Sequence, residues 1–251
     1  MKILVIGELC EDVFVYGRAE RMCPEAPVPV FLPTKEVRNP GMAGNVVENI
    51  KALMGPKDTV ELWHQEEKIY KTRIVDEKSN QMIVRIDDGE SSPVLSAYKS
   101  RVLSSNAVKE IKEFDLVIVS DYNKGFLPDE ALMEIGAVSK MSFLDTKKPL
   151  TKTIVGLYTF VKLNRSEAEL SPAFTGSPNV IVTLGSEGAR INGVTYSQDD
   201  PRETIDVSGA GDTFIAAFAL MYAETKNVEQ SITWANQMAG LVVGKRGVAT
   251  P

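Results

Sequence analysis

The sequence predicts an α/β protein whose core is a doubly wound, mostly parallel sheet flanked by helices. Short continuous apolar runs bounded by turn residues are typical of strands that are buried on both faces. Segments of helical period lie between these runs, which gives the strand and helix alternation of a doubly wound sheet. The 251 residues, 43% of them hydrophobic, are enough to bury one sizeable core. We therefore expect one domain over residues 1–251.

The elements follow from these patterns in chain order. The predicted strands are Ile3–Ile6, Leu116–Val119, Phe143–Leu144, Phe160–Leu163 and Val180–Leu184. The predicted helices are Ala43–Met54, Asp129–Lys140, Asp212–Ala223 and Val228–Gly244. Residues 12–37 are strand-rich and contain several prolines, and residues 71–87 read as two strands around a polar turn. We expect these two segments to form a small, discontinuous β lid that closes over a ligand and excludes water.

Composition excludes several classes of function. The net charge of −6, without a long basic run, gives no footprint for a nucleic-acid partner, so a small-molecule substrate is favoured. His64 is the only histidine, and Cys10 and Cys23 form no CxxC pair, so neither a zinc cluster nor a histidine-based catalytic triad can be assembled. No signal peptide and no apolar run of roughly 18 residues is present, so we expect a cytoplasmic protein without a membrane segment.

The most informative stretch runs from Asp206 to Asp212, immediately before a helical pattern. Gly209, Ala210 and Gly211 leave backbone N–H groups uncovered where a helix begins, and the positive helix end adds to this anion site. A carboxylate in such a site is a poor anion ligand but a good proton acceptor, so Asp212 is interpreted as a general base beside a phosphate. The alternative is a glycine-rich turn whose aspartates cap the helix.

Two further segments follow predicted strands. Asn164 and Glu167 come directly after Phe160–Leu163, where polar residues would project into the ligand crevice and suit Mg²⁺ contacts through water. A helix N-cap with an acidic third position explains this pair equally well. Gly185 and Gly188 would let the backbone approach a nucleotide, although Gly-x-x-Gly also makes ordinary hairpin turns. Neither the G-x-G-x-x-G fingerprint nor a P-loop is present.

Candidate ligands for an acceptor lie nearer the N-terminus. Asn39–Asn45 reads as a glycine-rich loop that opens a helix, with Asn45 placed to bind a polyhydroxylated ligand; a tight turn plus an N-cap is the alternative. Asp12 is placed to accept hydrogen bonds from sugar hydroxyls, or is a turn aspartate. The cations Lys71, Arg73 and Lys124 would suit a second phosphate, although solvated side chains are the usual finding.

Asp206-Val-Ser-Gly-Ala-Gly-Asp212 resembles the D-[TV]-[TS]-G-A-G-D signature of the ribokinase-like (PfkB) carbohydrate kinases. Within this family, the chain is most similar to the heptose-7-phosphate kinases. The similar stretches run from end to end: Tyr16-Gly17, Pro24–Val30, Lys71–Arg73, Val84–Asp87, Ser120–Gly125, Asp145–Lys147 and Ala235–Lys245.

The resemblance implies ATP-dependent phosphorylation of a sugar hydroxyl, with Asp212 as the base and the Gly209–Gly211 amides stabilising the transferring group. For the heptose kinases this means the anomeric hydroxyl of D-glycero-D-manno-heptose 7-phosphate. The resemblance also implies which residues bind the nucleotide, Mg²⁺ and the sugar. The nucleotide and Mg²⁺ would be bound by Asn164, Glu167, Gly185, Gly188, Asp206 and Asn236, and the sugar by Asp12, Gly41, Asn45, Lys71 and Arg73.

The chain departs from the family pattern at two places. Gly41-Met42 replaces the usual Gly-Gly pair, so a methionine side chain would reshape the sugar pocket. Between Met54 and Lys71 there is room for only one strand, Thr59–His64, which implies that the sheet is trimmed. The sequence therefore leaves open another sugar, sugar phosphate or nucleoside as acceptor, and a non-catalytic binding protein as an alternative.

The sequence also bears on oligomeric state and on the binding of a monovalent cation. An exposed apolar face on the β lid would favour a homodimer through the lids. The sequence leaves open whether a monovalent cation binds near the loop after Gly244.

Overall fold

The computed structural model describes residues 1–90, 105–198, 209–244 and 249–251. An eight-stranded sheet forms its centre, with strand order β12-β11-β10-β9-β8-β7-β1-β4. Its strands are β1 Lys2–Gly7, β4 Thr59–Trp63, β7 Leu116–Asp121, β8 Ser142–Thr146, β9 Phe160–Asn164, β10 Val180–Thr183, β11 Ala189–Ile191 and β12 Val194–Tyr196. Neighbouring strands from β4 to β10 are parallel, whereas β11 pairs antiparallel with both β10 and β12.

Helices cover both faces of this sheet. They are α1 Ala43–Leu53, α2 Ser105–Ile111, α3 Asp129–Val138, α4 Lys152–Leu157, α5 Arg165–Leu170, α6 Ala210–Thr225 and α7 Val228–Val243. Side chains alternate along β1, so that Ile3 and Val5 pack with α1, α6 and α7, while Leu4 and Ile6 pack with α2, α3 and α4 on the other face. Burial on both faces is why β1 reads as an uninterrupted apolar run.

A second sheet of four strands has the order β3-β2-β5-β6. Its strands are β2 Leu9–Met22, β3 Pro29–Met42, β5 Tyr70–Asp76 and β6 Met82–Asp88. β2 and β5 are parallel, and the two outer pairs are antiparallel. Since β3 lies at the edge, its prolines, including Pro33 beside a register shift, remove no ladder hydrogen bond from a central strand.

The structure confirms the strands and helices predicted for the central sheet and its flanking layers, with ends that differ by a few residues. Residues 54–69, all of them described, contain the single strand β4, as predicted, and it forms the edge of the central sheet.

The prediction of a glycine-rich loop over Asn39–Asn45 is wrong, as is the alternative of a tight turn. The segment stays paired with β2 as far as Met42, opposite Leu9, and α1 begins at Ala43. Met42 takes up the change of direction with a positive φ of 54°, and no side chain caps the helix.

Cys10 and Cys23 are free thiols. In the part of the chain that the structure describes, no helix has the length and apolarity needed to cross a membrane.

Candidate active site

A polar cleft of about 460 Å³ opens at the carboxyl ends of the parallel strands. Polar residues that follow β7, β8, β9 and β10 meet there with the start of α6, as expected for the ligand crevice of an open α/β sheet. The cleft is lined by Tyr122, Asp145, Lys147, Lys162, Asn164, Arg165, Ser166, Thr183, Leu184, Gly185, Gly209, Gly211 and Asp212.

Asp212 lies in the first turn of α6 with only 5% of its surface exposed. Its Oδ2 accepts a hydrogen bond of 2.8 Å from Nδ2 of Asn45, and its Oδ1 accepts one of 3.0 Å from the hydroxyl of Tyr122. Asn45 is itself fixed because Asn49 donates to it, and Thr213 in turn donates to Asn49. The carboxylate is therefore placed by elements that are distant in sequence.

Burial raises the pKa of Asp212 to about 6, and the nearby Asp145 carboxylate acts in the same direction. The hydrogen bonds from Asn45 and Tyr122 and the positive charge of Lys162 oppose this shift. A carboxyl group that titrates near neutrality is a stronger base than an ordinary aspartate and is still ionised at pH 7. These are the properties that a general base requires.

The helix-capping interpretation of Asp212 is wrong. The N-cap of α6 is Gly209, which has a left-handed φ of 82° and makes no side-chain cap. The first N–H groups of the helix have no acceptor within the helix, so they are available to an anion in the cleft. Asp206, which the sequence suggested as a nucleotide ligand, lies outside the described residues.

The buried ion pair of Lys162 and Asp145 lies beneath the start of α6. The Lys162 Nζ atom donates to Oδ2 of Asp145 over 2.8 Å, and the two residues are 4% and 8% exposed. Burial alone would lower the pKa of Lys162, but the Asp145 and Glu167 carboxylates raise it, so the ammonium keeps its proton. A Cβ atom built on Gly211 would come within 3.0 Å of this ammonium, which therefore lies next to the helix amides.

A loop fixed by Glu8 positions Tyr122. Glu8 is fully buried, and its two carboxylate oxygens accept hydrogen bonds of 2.9 Å from the backbone N–H groups of Tyr122 and Lys124. Two ammonium groups lie over the Tyr122 ring, with Lys147 Nζ at 5.0 Å and Lys71 Nζ at 5.5 Å from its centre. Tyr122 therefore contacts both the base and two cations of the site.

Asn164 and Glu167 adopt the helix-capping arrangement that the sequence left open. They form a capping box at the start of α5, in which Asn164 Oδ1 accepts from the Glu167 N–H and Glu167 Oε2 accepts from the Asn164 N–H. Lys147 Nζ lies 2.6 Å from Glu167 Oε1, which also accepts from the Asn164 amide. Both oxygens of Glu167 thus have donors within the protein, while Asn164 still lines the cleft.

The glycine segment after β10 also forms the hairpin that the sequence left open. Gly185 starts a short 3₁₀ helix at Gly185–Glu187 and lines the cleft, and a Cβ atom added to it would meet no atom within 4 Å. A Cβ atom on Gly188 would lie 2.1 Å from the carbonyl oxygen of Tyr196, so this glycine permits close packing of β12. Asn236 on α7 donates to the same carbonyl over 2.8 Å and is absent from the cleft lining.

Asp12 and Gly41 are neighbours on the second sheet. Asp12 is 5% exposed and forms an ion pair with Arg73, which also lies over the Phe14 ring. A Cβ atom on Gly41 would come within 2.1 Å of Asp12 Oδ2, so only glycine leaves this carboxylate its position. Arg73 is therefore engaged by Asp12, and Asn45 by Asp212.

Two of the cations that the sequence singled out share one carboxylate. Lys71 and Lys124 both contact Glu90, a residue to which the sequence gave no role.

Sequence reasoning assigned no role to Lys162, Asp145 or Tyr122. For Lys162 a signal was available, because it is the only charged residue within the otherwise apolar stretch Phe160–Leu163. A lysine at a position buried on both faces needs a paired carboxylate, and such a pair marks a candidate site.

The fold of the chain is ribokinase-like. The structure of Arabidopsis thaliana ribokinase with ribose and ATP superposes with a TM-score of 0.68 at 19% identity, over 98% of this chain and 93% of that one. Thermotoga maritima ribokinase superposes with a TM-score of 0.70 at 17% identity, over 98% and 94% of the two chains.

The sequence matches the pfkB family carbohydrate kinases over residues 58–251, so the chain belongs to this family and is a sugar kinase with an alcohol group as phosphoryl acceptor. It is 32% identical to the bifunctional protein HldE of a Nitratiruptor species and 33% identical to that of Helicobacter pylori (strain J99). Both matches cover 99% of this chain but only 63% and 64% of the relatives, so the chain spans less than two thirds of their length. The first alignment runs over 292 positions, so that relative carries residues that this chain lacks.

Proposed function

We propose that the protein transfers the γ-phosphoryl group of ATP to the anomeric hydroxyl of D-glycero-D-manno-heptose 7-phosphate. The observation that carries the phosphoryl transfer is Asp212, a buried carboxylate with a pKa of about 6 beside the free amides of a helix start. The heptose acceptor rests on the resemblance of separate stretches along the chain to heptose-7-phosphate kinases, and on the similarity to the HldE proteins.

In this proposal, Asp212 takes the proton of the sugar hydroxyl as the hydroxyl oxygen forms a bond to the γ-phosphorus. The bond between that phosphorus and the bridging oxygen breaks, and ADP leaves. Negative charge on the transferring group is stabilised by the amides of Gly209, Ala210 and Gly211 and by the Lys162 ammonium, which lies next to Gly211. The Asn45 and Tyr122 hydrogen bonds keep the base in position until the acceptor replaces one of them.

The nucleotide would lie along Asn164, Gly185 and the start of α6, where the cleft is open. Among the described residues, no group of three or more His, Cys, Asp or Glu side chains is close enough to hold a metal alone. This fits Mg²⁺, which keeps several waters and is bound mostly through substrate phosphates. Asn164 and Glu167 would contact it through water, and the ion would neutralise charge on the phosphates.

The roles proposed for Asp12 and Gly41 concern the sugar. Asp12 and Arg73 form an ion pair on one face of the second sheet. In this proposal, that face forms a wall of the acceptor pocket. Because the ion pair with Arg73 fixes the Asp12 carboxylate, the hydrogen bonds that it accepts from sugar hydroxyls would have a fixed direction. We propose that the second sheet acts as a lid over the cleft.

The test is ³¹P NMR of the protein with Mg·ATP and, in turn, heptose 7-phosphate, fructose 6-phosphate, ribose and adenosine. We expect a new anomeric phosphate signal with the heptose phosphate only, and no signal in the Asp212→Asn variant. Turnover of a different acceptor would keep the kinase and replace the heptose. If ATP binds but no acceptor reacts, a non-catalytic binding protein is the better description.

A homodimer through the second sheet is part of the proposal. Val84 and Ile86 alternate with Arg85 along β6 and are 46% and 53% exposed, on the face opposite to the one that carries Arg73. Exposed apolar side chains in such a row favour a protein partner, and a twofold interface would cover the row on both copies. Sedimentation equilibrium should give twice the chain mass of 27.5 kDa, and Ile86→Lys should give the monomer. A monomeric unsubstituted protein would contradict the dimer.

A further inference from the structure

The Glu90 carboxylate bridges two lysines at the junction of the two sheets. Its Oε2 lies 2.5 Å from Nζ of Lys124, which belongs to the loop after β7, and its Oε1 lies 3.2 Å from Nζ of Lys71 on β5. The side chains of Lys71 and Glu90 are 12% and 18% exposed, so the cluster is largely shielded from water. This cluster, the Lys71–Glu90–Lys124 triad, has no role in the transfer chemistry described above.

Glu90 is an imperfect partner for these two lysines. The Oε1 atom is buried and, apart from the ion pair with Lys71 at 3.2 Å, has no hydrogen-bond donor among the described residues. A buried acceptor without a hydrogen bond costs free energy that a better-fitting anion would recover. Burial acts to raise the pKa of Glu90, but the two lysines outweigh it and lower that pKa, so the group stays ionised.

The charges in the triad do not balance. Two ammonium groups face one carboxylate, whereas the neighbouring cations of the second sheet each have a carboxylate of their own: Arg73 pairs with Asp12, and Arg85 with Asp87. Within the described part of the chain, Lys71 and Lys124 therefore share one ion-pair partner and carry an excess positive charge. A phosphate monoester, with close to two negative charges at pH 7 and three acceptor oxygens, matches two ammonium groups better than a carboxylate does.

The triad also lies near Asp212, the proposed general base. The Lys71 ammonium is 5.5 Å from the centre of the Tyr122 ring, and the hydroxyl of that ring is 3.0 Å from Asp212. One aromatic ring thus separates the lysine from the proposed general base. A phosphorylated sugar carries its phosphate and its reacting hydroxyl at opposite ends of a short carbon chain, which would extend along this ring.

We infer that Lys71 and Lys124 form the binding site for the phosphate of a phosphorylated sugar acceptor, and that Glu90 occupies this site when the acceptor is absent. This inference rests on the proposed function and names the residues that recognise the phosphate of its acceptor. Binding of the acceptor displaces the Glu90 carboxylate into solvent, so Glu90 weakens acceptor affinity and discriminates against ligands without a phosphate. A purely structural triad would instead stabilise the fold and leave anion binding unaffected.

The first experiment measures the binding of inorganic phosphate by calorimetry, without nucleotide or sugar. Glu90→Gln removes the competing charge, so phosphate should bind about tenfold more tightly than to the unsubstituted protein. Glu36→Gln removes an exposed carboxylate that pairs with Arg38 on β3 and should leave phosphate affinity unchanged. Equal affinity in Glu90→Gln and the unsubstituted protein would overturn the inference.

Lys124→Met provides a second variant that does not depend on the folding of Glu90→Gln. It keeps the Lys71 and Glu90 pair and should lower phosphate affinity at least about tenfold. Lys51→Met removes a lysine from an exposed pair on α1 and is the matched control, with unchanged binding. Retention of full phosphate affinity in Lys124→Met would overturn the assignment of this lysine.

Steady-state kinetics then separate the inference from the proposed function. Glu90→Gln should lower KM for heptose 7-phosphate without lowering KM for Mg·ATP. If both KM values change equally, Glu90 acts on the fold and the inference fails while the kinase stands. If no acceptor is phosphorylated but the variants shift phosphate binding as described, the anion site stands and the proposed function fails.

Discussion

Replacing Asp212 by Asn is expected to lower kcat by about 10²- to 10⁴-fold, the usual contribution of a general base. The amide cannot accept a proton, while its similar size preserves the packing of α6. Asp115→Asn is the matched control, because Asp115 is exposed and pairs with Lys140, and its kcat should be unchanged. Initial rates with saturating Mg·ATP and acceptor provide the measurement, and full activity of Asp212→Asn would exclude its role as base.

The same carboxylate sets the pH dependence. Because only the ionised form of Asp212 accepts a proton, kcat/KM should rise with pH and level off above about 6, where burial places its pKa. An aspartate with its ordinary pKa near 3.8 would give a flat profile over the same range. A flat profile between about pH 5 and 8 would therefore contradict either the raised pKa or the assignment of the base.

The raised pKa also has a consequence for stability. Between the ordinary pKa and the folded-state value of about 6, the folded state binds more protons at Asp212 than the unfolded chain does. The free energy of unfolding therefore falls as pH rises through this window, by about 3 kcal/mol in all. In Asp212→Asn this part of the pH slope should disappear, which urea denaturation at about pH 4 and pH 7 would detect.

Parts of the fold could be predicted because the physical cause is local. β1 and β7 are buried on both faces and so consist largely of apolar residues, and this pattern is visible in a short window. The β11 and β12 hairpin was missed although the Asn192-Gly193 turn is a strong signal. Both residues have positive φ, 48° and 78°, as a two-residue type I′ turn requires.

The glycines of Asn39–Asn45 were misinterpreted for a different reason. Glycine and proline favour a loop in any short window, but here Gly41 lies in a strand because its lack of a side chain leaves room for Asp12. The cause is a tertiary contact with Asp12 on β2, a residue that is distant from Gly41 in the sequence. Local propensity carries no information about such a contact.

The candidate site likewise contains residues that a local motif identifies and residues that only the tertiary structure brings together. Asp212 and the glycines before it form a contiguous motif, so the sequence identified them. The hydrogen bonds that position the carboxylate come from Asn45, 167 residues away, and Tyr122, 90 residues away. The sequence suggested a sugar-binding role for Asn45 but gave no sign that its amide donates to Asp212. Such roles depend on which strand ends become neighbours, and that is fixed by sheet order and not by spacing.

Replacing Lys162 by Met is expected to affect both stability and catalysis. The variant leaves Asp145 buried without its partner, and removal of one member of a buried ion pair costs about 3 to 5 kcal/mol. It also removes the positive charge next to Gly211, where the phosphoryl group would pass, so kcat should fall by about 10²- to 10³-fold. Urea denaturation and initial rates measure the two effects separately.

The double variant Lys162→Met with Asp145→Asn distinguishes a catalytic lysine from a structural one. The neutral amide that replaces the Asp145 carboxylate no longer needs a counter-ion, so most of the lost unfolding free energy should return. If Lys162 stabilises charge in the transition state, kcat of the double variant stays as low as that of Lys162→Met, because restoring the fold does not restore the ammonium. If kcat recovers together with stability, Lys162 serves only to neutralise Asp145, and the helix amides alone must stabilise the transferring phosphoryl group.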